Sequence, residues 1–428
     1  MPPFFHYIYA EKKGLLTKIP KKNFKNFKNT LSVYIFTIFF GVFRYNQNMS
    51  KFLYESFKDD FRVGAAVSGI ILMSDEERQA LFENMKKRME EFRKNFKPQP
   101  GMPEFKFPEP QPYPPGEMPD KALAAKQFNL VVAENECKMG SIYHGPDNFD
   151  FSGADRLLKF ARENNQAMRW HTLVWHNQSP RWIFEDGNGG KASKELLEER
   201  LKKYIFTVGE RYKNDICSVD VVNECISDKN FVLRDGADRS QWFDILGPEY
   251  VDKAFFWAKE AFPNSSLVIN DYNLEMIEGK RQGMYKLVKG MLERGVPVDT
   301  VGLQMHINIE NPPVSEIEKT IELYGSLGLN VIVTEMEVSA YLDKDFEHPD
   351  PRREYDQAFL EQQAERYAQI FECFRKEARA GILKDVVLWG ITDRMSWKNN
   401  FPAPGRGDCP LLFDGDGNPK PAFDRLTK

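Results

Sequence analysis

The sequence predicts an α/β fold, a closed (β/α)8 TIM barrel that forms a single domain with one insertion after the first strand. Eight short apolar runs alternate with segments of helical periodicity, the order expected of parallel βα units. The runs are apolar nearly throughout, which is typical of parallel strands covered on both faces. A doubly wound open sheet is the alternative. It is disfavoured because no GxGxxG or Walker sequence follows the first run.

The predicted elements cover most of the chain after residue 60. The predicted strands are 61–67, 128–134, 168–175, 217–224, 266–272, 299–306, 330–337 and 385–392. The predicted helices between them are 193–212, 249–262, 279–294, 314–327 and 355–380. In 193–212, for example, Leu197, Leu201 and Tyr204 recur at the three- and four-residue spacing of one helix face.

Residues 74–120 interrupt the alternation and are predicted to be an insertion. Ser74 and Glu77 have the spacing of a capping box, so a helix is expected over 74–97. Nine prolines follow between residues 98 and 119, and such a stretch is extended and stiff rather than packed.

Residues 1–48 are predicted to be a leader or an unstructured extension that precedes the domain 49–428. The apolar run 31–43 is short for a membrane span, and membrane association would require it to act as an anchor. It has the length of a signal-peptide core, although no small-residue cleavage site follows. Translation from Met49 would give a cytoplasmic protein, whereas an export signal in 1–48 would give a secreted or periplasmic one.

The composition excludes several classes of protein. The chain has 428 residues, 42% of them hydrophobic, and a net charge of −4, so no nucleic-acid partner is expected. Its five cysteines are odd in number and sparse, which argues against a disulfide framework. No pair of cysteines has CxxC spacing, and we expect no metal and no cofactor. A monomer is expected.

Polar residues recur where the predicted strands end. They are Glu134 to Glu136, His171 to His176, Asn223 and Glu224, Asp271 to Asn273, Gln304 and His306, Glu335 and Glu337, and Trp389 to Asp393. In a barrel these ends meet on one face, where catalytic groups lie. For any one of these residues alone, a helix cap or a loop hydrogen bond is the favoured explanation. Paired carboxylates among amides, imidazoles and indoles suit glycoside hydrolysis, but the residue types alone do not choose the two carboxylates.

Eight motifs, in this order along the chain, closely resemble glycoside hydrolase family 10, the endo-1,4-β-xylanases. They are ENECK (134–138), HTLVWHNQ (171–178), DVVNE (220–224), INDYN (269–273), GLQMH (302–306), IVTEMEV (332–338), LWGITDRMSW (388–397) and PLLFDGDGNPKPAF (410–423). The resemblance covers residues 53–427 apart from the proline-rich insert. It implies hydrolysis of internal β-1,4-xylosidic bonds in xylan or xylo-oligosaccharides by retaining double displacement.

The resemblance also implies the roles of individual residues. Glu224, which ends the fourth strand, is implied as the proton donor (acid/base), and Glu335, which ends the seventh, as the nucleophile. Asn223 would bond the sugar 2-hydroxyl, and His306 would hydrogen-bond Glu335. The other implied substrate-binding residues are Gln304 and His171 at the cleaved sugar, Glu134, Asn135 and Lys138 one sugar further on, Trp175, Trp389 and Trp397 as the glycone wall, and Tyr272 and Asn273 on the aglycone side.

Two alternatives remain open at this level: a retaining hydrolase of another β-1,4-glycan, and a catalytically silent carbohydrate-binding protein on the same fold. The chain departs from the family pattern at Met139, Trp170, Val219 and Glu337, and Glu337 replaces the usual Asp with a side chain one methylene longer. The insertion is expected to emerge on the active-site face and to flank the glycone end of the cleft.

Overall fold

The computed structural model describes residues 52–95, 116–342, 355–402 and 405–428. The predicted leader 1–48, its apolar run 31–43 and most of the proline-rich stretch 98–119 lie outside these ranges. The residues described below belong to one compact unit, Leu53–Lys428.

Eight parallel strands close into a barrel, as the sequence predicts. In chain order the strands are β1 (Arg62–Val67), β2 (Leu130–Ala133), β3 (Tyr143–Gly145), β4 (Asn148–Phe149), β5 (Ala167–Trp175), β6 (Ile216–Asn223), β7 (Ser266–Asp271), β8 (Thr300–Leu303), β9 (His306–Asn308), β10 (Asn330–Ser339) and β11 (Leu383–Leu388). The barrel strands hydrogen-bond in the order β11-β1-β2-β5-β6-β7-β8-β10, and β10 pairs in turn with β11. Closure excludes the open doubly wound sheet. The strands β3 and β4 form a small antiparallel hairpin outside the barrel.

The helices lie between the barrel strands. They are α1 (Asp75–Asn95), α2 (Pro119–Gln127), α3 (Met139–Ile142), α4 (Ser152–Glu163), α5 (Lys194–Tyr212), α6 (Gln241–Leu246), α7 (Tyr250–Ala261), α8 (Glu278–Glu293), α9 (Val314–Gly325), α10 (Gln357–Arg379) and α11 (Pro421–Leu426). The predicted helices agree with α1, α5, α7, α8, α9 and α10 to within about two residues at each end. The sequence analysis did not predict α4, although its buried Ala154, Leu157, Leu158 and Ala161 have helical spacing.

Hydrophobic burial holds the helices against the barrel. On α5 the predicted stripe of Leu197, Leu201 and Tyr204 is buried, and Ser193 caps the helix by accepting a hydrogen bond from the Leu196 N–H. Close packing of α5 on α7 requires Gly209, since a Cβ there would lie 2.6 Å from the Ala261 Cβ. A smaller apolar cluster that includes Ala66, Val132 and Trp389 is separate from the main core.

The helix of the insertion is present, and it directly follows β1 and a short 3-10 turn. Its capping box forms as predicted: the Ser74 N–H donates to Glu77 Oε2 at 2.7 Å and the Glu77 N–H donates to Ser74 Oγ at 3.2 Å. Arg156 of α4 pairs with Glu77 at 2.6 Å, which ties the start of α1 to the barrel's helical layer. In the described ranges, no helix combines the length and apolar character needed to cross a membrane.

Candidate active site

The fourth barrel strand, β6, ends at Asn223 and presents Glu224 in a left-handed backbone conformation, with φ of 54°. The Glu224 N–H donates to the Asn270 carbonyl of β7 at 2.8 Å, which anchors this turn to the neighbouring strand. A non-glycine residue in this conformation is strained, and such strain is concentrated at functional sites.

The Glu224 carboxylate accepts two side-chain hydrogen bonds. Trp175 Nε1 donates to Oε2 at 2.8 Å, and Gln304 Nε2 donates to Oε1 at 3.1 Å. Burial raises the pKa of Glu224 most, Asp271 and Glu335 raise it further by charge repulsion, and the two hydrogen bonds lower it. The net pKa lies above the ordinary value. Glu224 is thus able to hold and deliver a proton, as a general acid must.

Glu335 has the opposite electrostatic setting. Its side chain is buried, and it accepts hydrogen bonds from Asn270 Nδ2 at 2.9 Å and from His306 Nε2 at 3.2 Å. Burial alone would raise its pKa, but the hydrogen bond from His306 and the positive charges of His171, His306 and Lys138 lower it to about 2. Glu335 is therefore ionised at neutral pH, as a carboxylate nucleophile must be.

The sequence suggested that Glu335 ends its strand, but the strand continues past it. The strand β10 continues to Ser339 because the short strand β9 pairs with its last residues, where Glu337 is opposite His306. The pairing with β9 after Glu335 and the pairing of residues 330–333 with β8 before it fix the backbone on both sides of Glu335.

His306 bridges two carboxylates. Its Nδ1 donates to Glu337 Oε2 at 3.0 Å while Nε2 faces Glu335. Burial lowers the pKa of His306, but the hydrogen bonds and charges of Glu335 and Glu337 outweigh it and raise the pKa to about 9. Glu337 also accepts from Trp397 Nε1 at 3.0 and 3.1 Å, and Lys398 Nζ lies 3.6 Å away. The longer Glu337 side chain thus still reaches His306.

Amides connect the two carboxylates Glu224 and Glu335. Asn270 Nδ2 donates to Asn223 Oδ1 and to Glu335 Oε1, each at 2.9 Å. Gln304 Nε2, which bonds Glu224, also lies 3.4 Å from Asn223 Oδ1. The Oδ1 of Asn223 is therefore occupied, and its buried Nδ2 has no partner within the described part of the chain. A buried donor of this kind is satisfied when a substrate hydroxyl reaches it.

His171 is oriented by charged groups beneath it. Its Nδ1 lies 2.8 Å from Asp220 Oδ2, and Asp220 Oδ1 accepts from the buried Arg169 at 2.5 Å. Asp220 fixes the ring orientation, as carboxylates commonly do for functional histidines. Sequence reasoning missed Arg169 and Asn270. Asn270 stands inside the motif INDYN, so that motif was its available signal.

Glu134, Asn135 and Lys138 follow β2 and stand together. Lys138 Nζ donates to Asn135 Oδ1 at 3.0 Å and lies 5.1 Å from the ring centre of Trp175 and 5.9 Å from that of Trp389. Burial and Glu136 raise the pKa of Glu134, Lys138 opposes them, and the result is about 7. Glu134 and Trp389 line one small pocket. Lys138 thus lies near two of the three predicted tryptophans, and Glu134 shares a pocket with one of them.

The three tryptophans differ in their contacts. Trp175 bonds Glu224, whereas Trp397 bonds Glu337 and packs edge-on against His306 with ring centres 5.5 Å apart. Trp389 packs edge-on against His171 at 5.4 Å. Besides any contact with sugar, the indoles therefore orient the carboxylates and imidazoles of the site.

Tyr272 and Asn273 follow β7, on the other side of Glu224 from β2. The Tyr272 hydroxyl contacts Asp228 and lies 3.2 Å from Arg234 Nη2. Asn273 has φ of 58°, and its carbonyl accepts from the Ile277 N–H at 2.9 Å. The predicted site residues therefore lie within the barrel strands or in the segments that follow them, with Glu335 inside β10 and Trp397 in a 3-10 helix after β11.

One group of carboxylates in the described ranges has the spacing of a metal site, but it lies away from these strand ends. It comprises Glu318 and Glu322 of α9 and Glu377 of α10. Lys376 pairs with all three carboxylates, which balances part of their charge.

The barrel and its two oppositely tuned carboxylates define a glycoside hydrolase. Residues 111–428 match the model of Glycosyl hydrolase family 10, and the chain belongs to that family. The match begins after β1, so the first strand of the barrel is recognised from the structure and not from this match.

Named relatives and solved structures agree with this assignment. The chain is 42% identical over 310 residues to endo-1,4-beta-xylanase A of Caldicellulosiruptor saccharolyticus, covering 72% of this chain and 87% of the relative. It is 41% identical over 314 residues to a thermostable celloxylanase of Thermoclostridium stercorarium, covering 70% and 79%. A crystal structure of a mutant in complex with xylotriose has a TM-score of 0.71 and 36% identity, covering 88% of this chain and 99% of that one.

Proposed function

We propose that this protein is an endo-1,4-β-xylanase that cleaves internal bonds of xylan or xylo-oligosaccharides with retention of configuration. The observation that carries the proposal is the opposite tuning of two linked carboxylates. The pKa of Glu224 is raised chiefly by burial, and the pKa of Glu335 is held at about 2 by His306 against the effect of burial. The two shifts favour the states that double displacement requires, a protonated Glu224 and an ionised Glu335.

In the first step, Glu335 attacks the anomeric carbon and Glu224 gives its proton to the leaving glycosidic oxygen. A covalent xylosyl–Glu335 ester forms as the bond to the leaving sugar breaks. In the second step, Glu224, now ionised, takes a proton from water, and the resulting hydroxide oxygen displaces Glu335. The two inversions give net retention, and both carboxyl groups return to their starting states.

Substrate binding follows from the donors around the nucleophile. The unpartnered Asn223 Nδ2 would donate to the 2-hydroxyl of the cleaved sugar, a bond that strengthens in the transition state. His171 and Gln304 would line the same subsite, and Glu134, Asn135 and Lys138 would bind the next sugar. The relative solved with xylotriose supports an oligosaccharide of this class as the substrate.

The preference for xylose rests on Trp397. Its indole is fixed by hydrogen bonds to Glu337 and by the edge-on contact with His306, so it does not swing away freely. A sugar with a C6 hydroxymethyl group needs room at this wall, and we expect Trp397 to exclude it. A β-1,4-glucan is the second candidate substrate because one relative is named a celloxylanase.

The test is reducing-sugar release from xylan, carboxymethylcellulose and mannan by the purified full-length chain. Xylan should be cleaved fastest, and the first product seen by ¹H NMR should be the β-anomer. Faster cleavage of carboxymethylcellulose would reject the xylan preference. No release from any of the three would favour the catalytically silent binding protein.

The insertion is proposed to limit how far a xylan chain extends past the glycone end. The position of α1 supports this. It follows β1, which neighbours β2, and Glu134 to Lys138 come directly after β2. A variant in which residues 74–117 are replaced by a short Gly/Ser linker should release a different distribution of oligosaccharides from long xylan. An unchanged distribution would contradict the proposal.

A further inference from the structure

Two buried, positively charged side chains lie next to Tyr272 at this end of the barrel. Lys280, on the first turn of α8, is 0% exposed, and Arg234, which follows β6, is 1% exposed. A fully buried lysine or arginine is rare unless it is paired, so their partners indicate what they hold in place.

Lys280 contacts the Tyr272 ring and two carboxylates beside it. Its Nζ lies 2.8 Å from Asp228 Oδ1, 3.0 Å from Asp271 Oδ1 and 3.2 Å from the centre of the Tyr272 ring. Burial lowers the pKa of Lys280, but the two carboxylates outweigh burial and hold it above the ordinary value, so Lys280 is charged. The Tyr272 ring thus lies against a fixed cation, a favourable arrangement with the electron-rich ring face.

Arg234 connects the same tyrosine to the acid/base. Its Nε donates to the Glu224 carbonyl at 3.2 Å, and its Nη2 donates to the Ile226 carbonyl at 3.1 Å and to the Tyr272 hydroxyl at 3.2 Å. Its Nη1 pairs with Asp238 at 3.0 Å. Arg234 therefore joins the loop after β6, which carries Glu224, to the loop after β7, which carries Tyr272.

The position of Tyr272 assigns it to the leaving side of the scissile bond. Around the barrel the order is β2, β5, β6 and β7, so Glu224 stands between the Glu134 group and Tyr272. Glu224 must protonate the oxygen that leaves with the departing sugar. That sugar then lies beyond Glu224, beside the partly exposed Tyr272.

We propose that Lys280 and Arg234 form a buried clamp that fixes Tyr272 as the platform for the departing sugar and sets its position relative to Glu224. Both are positioning residues for the aglycone subsite and touch no substrate themselves. The proposal rests on the xylanase function proposed above. Loss of the clamp should slow cleavage of substrates with a sugar on the leaving side. It should have little effect on substrates whose leaving group is small and needs no protonation.

The test compares two substrates in Lys280→Met, with Lys319→Met as the matched control. Lys319 is a surface lysine, 53% exposed, that pairs with Glu278. Xylotetraose cleavage into two xylobioses places sugars on the leaving side, whereas 2,4-dinitrophenyl β-xylobioside releases a phenolate without acid assistance. In Lys280→Met, kcat/KM for xylotetraose should fall by about tenfold or more, mostly through KM, and kcat/KM for the aryl xylobioside by less than about threefold. The control variant should match the parent on both substrates.

A second variant keeps the proposal testable if Lys280→Met does not fold. Asp228→Asn removes the carboxylate that Lys280, Arg234 and Tyr272 share, at a side chain that is 42% exposed. It should show the same selective loss on xylotetraose. Equal losses on both substrates in the folded variants, or no loss on either, would overturn the clamp. If the unmodified enzyme leaves both xylotetraose and xylan intact, the proposed function fails, which is a different result.

Discussion

Glu337→Gln removes one of the two carboxylates that flank His306 and nearly preserves the side chain's shape. In the native site, His306 lies 3.0 Å from Glu337 and 3.2 Å from Glu335, and its pKa is about 9 instead of 6.5. At about 1.4 kcal/mol per pH unit, that rise corresponds to about 3 kcal/mol in favour of the imidazolium. With the two carboxylates at similar distances, and with burial opposing both, the variant should lose at least half of it, about 2 kcal/mol.

The expected result is a His306 titration midpoint about one to two pH units below 9. NMR of the imidazole Cε1–H resonances measures it directly, since the chain has six histidines and the His306→Gln spectrum identifies the one in question. Glu337→Asp is the control, because it keeps the charge and is the residue usual in the family. It should retain most of the shift. A midpoint that stays near 9 in Glu337→Gln would refute the account of how His306 is held charged.

The interaction of His306 with Glu335 and Glu337 should also make the stability of the protein depend on pH. The pKa of His306 is raised in the folded state, so its contribution is complete below pH 6.5 and is lost as the pH rises through 9. The free energy of unfolding should therefore lose about 3 kcal/mol over this window in the native protein and at most about half as much in Glu337→Gln. Urea denaturation at several pH values measures the difference, and identical slopes in both proteins would contradict it.

Further variants test the other contacts of the two carboxylates. The indole N–H of Trp175 donates to Glu224 and so favours the ionised carboxylate. Trp175→Phe removes this donor, so the basic limb of kcat/KM against pH should move up by about one pH unit. A basic limb at the same or a lower pH would contradict this. Glu335→Gln should lower kcat on xylan by at least about 10⁴-fold while xylotriose still binds by calorimetry, and a variant with near-native turnover would reject the role. The pKa of Glu335 is about 2, below its ordinary value of 4.5, so its contribution to stability is present above pH 4.5 and is lost as the pH falls toward 2. Glu335→Gln should therefore reduce the loss of unfolding free energy with falling pH in this range. An unaltered loss would count against the ion pair of Glu335 with His306.

The fold could be predicted from the sequence because each barrel strand is buried on both faces. Runs such as 61–67 and 128–134 are therefore apolar nearly throughout, and a helix with a regular stripe follows most of the strands. The missed helix α4 carried the same kind of stripe. What local patterns did not indicate was the pairing of β9 with β10, because it depends on two segments that are distant in sequence.

The candidate site could likewise be predicted only in part from the sequence. Strand-end position identified the carboxylates as candidates, and the family resemblance selected Glu224 and Glu335. The resemblance implied one hydrogen-bond partner that tunes them, His306 for Glu335. The bonds from Trp175 and Asn270 could not be inferred, because Trp175 is 49 residues from Glu224, and Asn270 is 65 from Glu335. An asparagine inside a strand motif indicates only a polar strand end. Its role as a bridge appears when β6, β7 and β10 are neighbours or near neighbours in the barrel.

The assignment of Glu335 as the nucleophile is tested most directly by trapping the covalent intermediate. A 2-deoxy-2-fluoro-xylobioside with a dinitrophenyl leaving group slows both steps but leaves attack faster than hydrolysis, so the glycosyl–enzyme ester accumulates. Peptide mass spectrometry of the inactivated protein should place a single fluoroxylobiosyl group on Glu335, inside the sequence IVTEMEV (332–338). A label on Glu224, Glu337 or another carboxylate, or rapid turnover with inversion and no label, would contradict the mechanism.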